Sequence, residues 1–69
     1  MKKIFWQSNN GNIIIEHSPF FLGSKYKIKR KIIMEQTGKE LWEFIIAFEF
    51  FGQAFRYASQ MFDEPVYQY

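Results

Sequence analysis

Lysine recurs at every second position in Lys25-Tyr26-Lys27-Ile28-Lys29-Arg30-Lys31. On an extended strand successive side chains alternate, so Lys25, Lys27, Lys29 and Lys31 share one face, with their stems about 6.6 Å apart along the chain. Such spacing suits neutralisation of successive phosphates in a nucleic acid, and Tyr26 or Trp6 would be available to stack a base. The other common use of strand lysines is to block edge-to-edge pairing with another sheet. From sequence the two uses stand level, because the formal net charge is only +2, small for a dedicated nucleic-acid binder. Arg30 lies beside the lysines and interrupts the apolar set Tyr26, Ile28, Ile32 and Met34 on the opposite face.

The other reactive residue types do not assemble. There is one histidine, His17, and one aspartate, Asp63. His17 follows Glu16, so on a strand the two point to opposite faces, and Asp63 lies far along the chain. Nucleophilic catalysis needs a nucleophile, a base and a group to orient the base, and a metal site needs at least three convergent ligands. The chain has no cysteine, which excludes a disulfide scaffold and a thiolate zinc site. Gly11, Gly23, Gly38 and Gly52 are isolated and form no phosphate-binding loop. The expectation is a non-enzymatic protein with no catalytic residues, no metal and no cofactor.

Three strands would carry these residues. Lys2 to Gln7 reads as the first, and Asn9-Asn10-Gly11-Asn12 as a hairpin turn of the type I′ kind. Asn12 to His17, with three consecutive isoleucines, suits a central strand that is apolar on both faces. Ser18-Pro19 should break the ladder, and Phe20-Phe21 should plug one end of the core. Lys25 to Met34 is the alternating third strand, with a bulge expected near Arg30 that re-phases Ile33.

Thr37-Gly38-Lys39-Glu40 has the form of a capping box, which predicts a helix from there to about Phe62. The fold class expected is α+β: a three-stranded antiparallel sheet (residues 1–36), one long helix packed on one face (37–62) and a tail (63–69), all in a single domain. On a helical wheel the stretch Leu41 to Phe62 is apolar on two flanks separated by an alanine stripe, which lets a helix lie close to a sheet. A three-stranded sheet covers one flank. The other flank, Ile46, Phe50, Tyr57 and Met61, would be left as a partner-binding or dimer face. At 69 residues the domain is near the lower limit for a self-sufficient core, which also favours a homodimer.

Glu43, Glu49, Gln53 and Arg56 interrupt Leu41 to Phe62, and each charge at the centre of a membrane span costs about 2.5 to 3.5 kcal/mol, so no membrane is expected. The run Gln7-Ser8-Asn9-Asn10 spoils a secretory signal, and a cytoplasmic location follows. At the level of topology the inferred order resembles the sheet-first DNA-binding domains of a plant transcription-factor class and of tyrosine recombinases. In size and composition the chain is similar to small phage or mobile-element proteins that inhibit host machinery. The leading expectation is an interaction protein of that inhibitor or regulator type, an anti-defence-like protein that binds and occludes a host protein handling nucleic acid. Ile46, Phe50, Tyr57 and Met61 would be its anchors and the basic face Lys25, Lys27, Lys29, Arg30 and Lys31 would steer it. The alternative is direct nucleic-acid binding by that basic face.

Overall fold

In a computed structural model the chain is described over residues 3–20 and 23–69, without the side chains of residues 19, 20, 23 and 24. Of the expected plug, Phe20-Phe21, only the main chain of Phe20 is described. The elements are β1 (Lys3–Gln7), β2 (Ile13–Phe20), β3 (Gly23–Met34), β4 (Glu40–Phe48), α1 (Phe51–Ala58) and β5 (Val66–Gln68). Strands β1 to β4 form an antiparallel sheet in chain order. β5 pairs parallel with the end of β3, Ile32 to Met34, on the edge that β2 occupies further up.

This overturns the expectation of three strands and one long helix. Leu41 to Phe48 belong to a fourth strand, and the helix has eight residues. The Thr37-Gly38-Lys39-Glu40 segment closes a hairpin instead of capping a helix. Gly38 takes φ +72°, a conformation that suits glycine, and donates its N–H to the Met34 carbonyl (2.7 Å). The Thr37 hydroxyl accepts from Lys39 (3.3 Å), a local turn bond of the kind that competes with helix. The strand Glu40 to Phe48, with its aromatic and β-branched run Trp42, Phe44, Ile45 and Ile46, then pairs with β3 from Ile33 to Tyr26.

Other sequence expectations shift as well. The ladder between β2 and β3 is unbroken at Ser18-Pro19 and runs to Phe20 opposite Gly23. Among the described residues β1 pairs with β2 as far as His17, two positions short of Pro19. The irregularity in the β3–β4 pairing falls between Ile28 and Lys29 and inserts Ile45 on β4, so Arg30 does not re-phase Ile33. In the first turn only Gly11 has positive φ, so the asparagines do not form a type I′ turn. The segment 63–69 is no loose tail, since it carries β5.

One face of the sheet is covered and one is open. Ile13 and Ile15 from β2 and Ile28 from β3 are fully buried with Ala54 and Ala58 of α1. The two alanines, one helical turn apart, let the helix lie close to the isoleucines. Trp6, Tyr26, Ile45, Ile46, Phe48, Phe51 and Met61 pack around this centre. α1 has no side-chain cap at Phe50 and no acidic residue in its first turn. A helix of this length is marginal alone, so its apolar contact with the sheet is what holds it.

Candidate functional site

The open face is built by alternation. Residues paired across the sheet share a face. The core-facing rows His17–Tyr26–Phe48 and Ile15–Ile28–Ile46 therefore leave Glu16–Lys27–Ala47, Ile14–Lys29–Phe44 and Lys31–Trp42 on the other side. Among the described residues α1 is the only element that packs across the sheet, and it lies on the isoleucine side. Lys25, Lys27, Lys29 and Lys31 thus form a column on an uncovered face, as their spacing implies. Arg30 does not join them. It lies on the helix side opposite Glu43, with its Nε buried and unpartnered.

Two of the four lysines are engaged. Lys29 Nζ is 2.9 Å from Glu16 Oε1, and Lys31 Nζ is 3.5 Å from Glu40 Oε1. Lys31 also lies over the Trp42 ring, 5.7 Å from its centroid, a cation–π contact. Among the described residues no ion pair engages Lys25 or Lys27. Beside the column, Trp42 and Phe44 stand 43% and 55% exposed on β4. Ile14 and Ser18, which share this face with the lysines, are 3% and 4% exposed.

Tyr26 and Trp6, the stacking residues suggested by sequence, are on the other side. Tyr26 stacks on His17 at 4.5 Å and Trp6 meets Phe55 edge-on at 5.8 Å. Trp42 and Phe44 take their place on the lysine face. They escape sequence reading because the helix assignment scatters them around a wheel, although their own two-residue alternation beside Glu40 is a strand signal.

The expected partner face is dispersed by the same change. Ile46 lies on β4 and packs on the core, as does Met61. Phe50 precedes α1 and is 65% exposed. Tyr57 is exposed on α1 and tilts against Phe48 at 5.7 Å. A hollow of about 290 Å³ beside it is lined by Phe48, Gln53, Arg56, Tyr57 and Gln60. Of the four residues only Phe50 and Tyr57 remain available to a partner.

The lone aspartate has a structural role. Asp63 accepts the Ser8 hydroxyl (2.7 Å) and the main-chain N–H groups of Asn10 (2.6 Å) and Asn12 (3.2 Å). Desolvation pushes its carboxyl up, but these hydrogen bonds together outweigh that and hold it below its ordinary value. His17 stacks on Tyr26 and packs at a tilt against Phe5, with those two rings also in contact, which is no nucleophile–base arrangement. Among the described residues no group of three or more His, Cys, Asp or Glu could hold a metal ion, and no helix is long and apolar enough to cross a membrane. No family model matches the chain, and neither a curated protein nor a solved structure does. The topological likeness to sheet-first DNA-binding domains falls with the long helix on which it rested.

Proposed function

We propose that this chain is a non-enzymatic binding protein whose open sheet face takes single-stranded nucleic acid. One observation carries the reading: the lysine column sits on β3, a strand paired on both edges, and not on a sheet edge. Lysines that guard against aggregation belong on edges, so that explanation does not serve here. The neighbouring Trp42 and Phe44 add exposed aromatic surface, and a basic track flanked by aromatics is the usual means of holding single strands without reading their sequence. Base–aromatic stacking contributes about 1 to 3 kcal/mol per base, which compensates for the few phosphate contacts that Lys25 and Lys27 supply unaided.

Titration with labelled oligo-dT and oligo-U while monitoring anisotropy and tryptophan emission tests this. The expected result is quenching of Trp42 and a log–log salt slope of about −1.5 to −3, from two to four phosphates at about −0.7 each. Lys27→Ala should reduce the slope by about 0.7, and Trp42→Leu should weaken binding with the slope unchanged. Binding that ignores salt and both substitutions would dismiss the open face.

A second reading keeps the inhibitor expectation: occlusion of a host protein that handles nucleic acid. It is favoured by the exposed Phe50 and by the exposed Tyr57, which lines the 290 Å³ hollow. That reading requires salt-insensitive binding to a protein and failure of Phe50→Ala.

A further inference from the structure

The two outer strands of the sheet differ in how their edges are protected. β1 is five residues long, is bulged at Phe5 between its pairings to β2, and carries Lys3. β4 is nine residues long, has neither lysine nor proline, and among the described residues is unpaired on its outer side. Its stretch Glu40-Leu41-Trp42-Glu43-Phe44 precedes the bulge at Ile45, and all five residues are exposed. A regular strand with an unpaired edge of this kind, here with three large apolar residues and two glutamates, is a template for another strand.

The hydrogen-bond parity shows which groups are on offer. Met34 donates to the Lys39 carbonyl at 2.9 Å, and Lys31 turns its N–H away from β4 to the Asn12 carbonyl at 2.8 Å. Main-chain groups alternate sides along a strand, so Leu41 and Glu43 face β3 while Glu40, Trp42 and Phe44 present their N–H and C=O groups to the open edge.

We infer that a second copy of this chain pairs antiparallel with that edge about a two-fold axis at Trp42, giving a dimer with one continuous sheet. The sequence is self-complementary in this register. Trp42 faces its own counterpart, Glu40 faces the partner's Phe44, and Leu41 faces the partner's Glu43, so no like charges are opposed. The right-handed twist of paired strands closes the diagonal from Glu43 to the partner's Lys39, an opposite charge, and opens the one between the two Glu43 residues. Shifting the axis to Glu43 would set two carboxylates face to face, which is destabilising. The outward parity of Glu40, Trp42 and Phe44 fits only registers in which these residues bond one another, and the Trp42-centred register is one of them. Pairing also satisfies the exposed N–H and C=O groups and extends the open face across both copies.

Sedimentation velocity across a concentration series, without nucleic acid, supplies the first readout and is independent of the binding proposed above. A species of twice the 8.4 kDa chain mass is expected. Trp42→Pro removes an N–H that points away from β3, so the folded circular dichroism should persist while the mass halves. Because the chain has no cysteine, single substitutions give a second readout that does not depend on the proline variant. Opposed residues of a hydrogen-bonded pair lie about 5.5 Å apart at Cα, within disulfide reach. Mild oxidation should therefore cross-link Trp42→Cys and spare Tyr57→Cys on the helix. A chain that remains monomeric at all concentrations, a dimer that survives Trp42→Pro, or cross-linking at Tyr57→Cys in place of Trp42→Cys would each overturn the inference.

Discussion

Asp63 gathers hydrogen bonds from three residues of the first turn. Through Ser8, Asn10 and Asn12 it ties the first hairpin turn to the segment after the helix, and Ser8 in turn accepts the Ile13 N–H at 3.0 Å. Asp63→Ala leaves several donors without an acceptor, so chemical denaturation should show a loss of about 2 kcal/mol. The same bonds set a pH dependence. A carboxyl held below its ordinary value binds protons more weakly in the folded state, so its stabilisation is present above the unfolded value of about 3.9. That stabilisation is lost as pH falls through the lower folded value. Thermal melts of the native chain between pH 6 and pH 2 should therefore decline more steeply in acid than those of Asp63→Ala. In the core, Ile28 is fully buried at the crossing of β2, β4 and α1, and Ile28→Ala should cost about 3 to 4 kcal/mol by the same assay.

Among the elements, α1 is the one held mainly by its neighbours. Ala54 and Ala58 are 0% and 1% exposed against the sheet, so Ala58→Leu should overpack the contact and lower stability by about 1 to 3 kcal/mol, measurable as a fall in Tm. At the β3–β4 turn a Cβ on Gly38 would meet nothing within 4 Å, so Gly38→Ala isolates the backbone strain of positive φ, about 1 kcal/mol. That glycine marks where sequence and structure part. The first three strands are legible in the sequence because the run Ile13 to Ile15 and the lysine alternation are strand patterns, although the first turn is not type I′ and the ladder is unbroken at Pro19. Residues 40–48 are not, because a continuous apolar run satisfies a helical wheel and a two-sided strand equally well. The aromatic and β-branched content of Trp42, Phe44, Ile45 and Ile46 favoured the strand, and a Thr-x-x-Glu pattern containing glycine favoured a turn. The lysine column was legible since its periodicity belongs to one strand, whereas its aromatic flank depends on β4 lying next to β3, a long-range pairing no local pattern encodes.

At the scale of the molecule the fold is a slab, 39 × 24 × 15 Å, with a helix on one side only. Lys25 and Lys27 are the two lysines of the column that no ion pair among the described residues engages, and an oligonucleotide bound in the proposed way would neutralise them. Ligand at ten times its Kd stabilises the native state by about 1.4 kcal/mol, which for a chain of this size raises Tm by roughly 6 to 11 °C. Oligo-dT should produce such a shift in low salt and lose it in high salt.

The bond from Asp63 back to the first turn also bears on how the chain folds. Until residues 63–68 dock, the amides of Asn10 and Asn12 lack the Asp63 carboxylate and the end of β3 has no β5 beside it. The sheet is therefore closed by contacts between residues about fifty positions apart. Contacts so distant in sequence make for slow folding, in milliseconds to seconds.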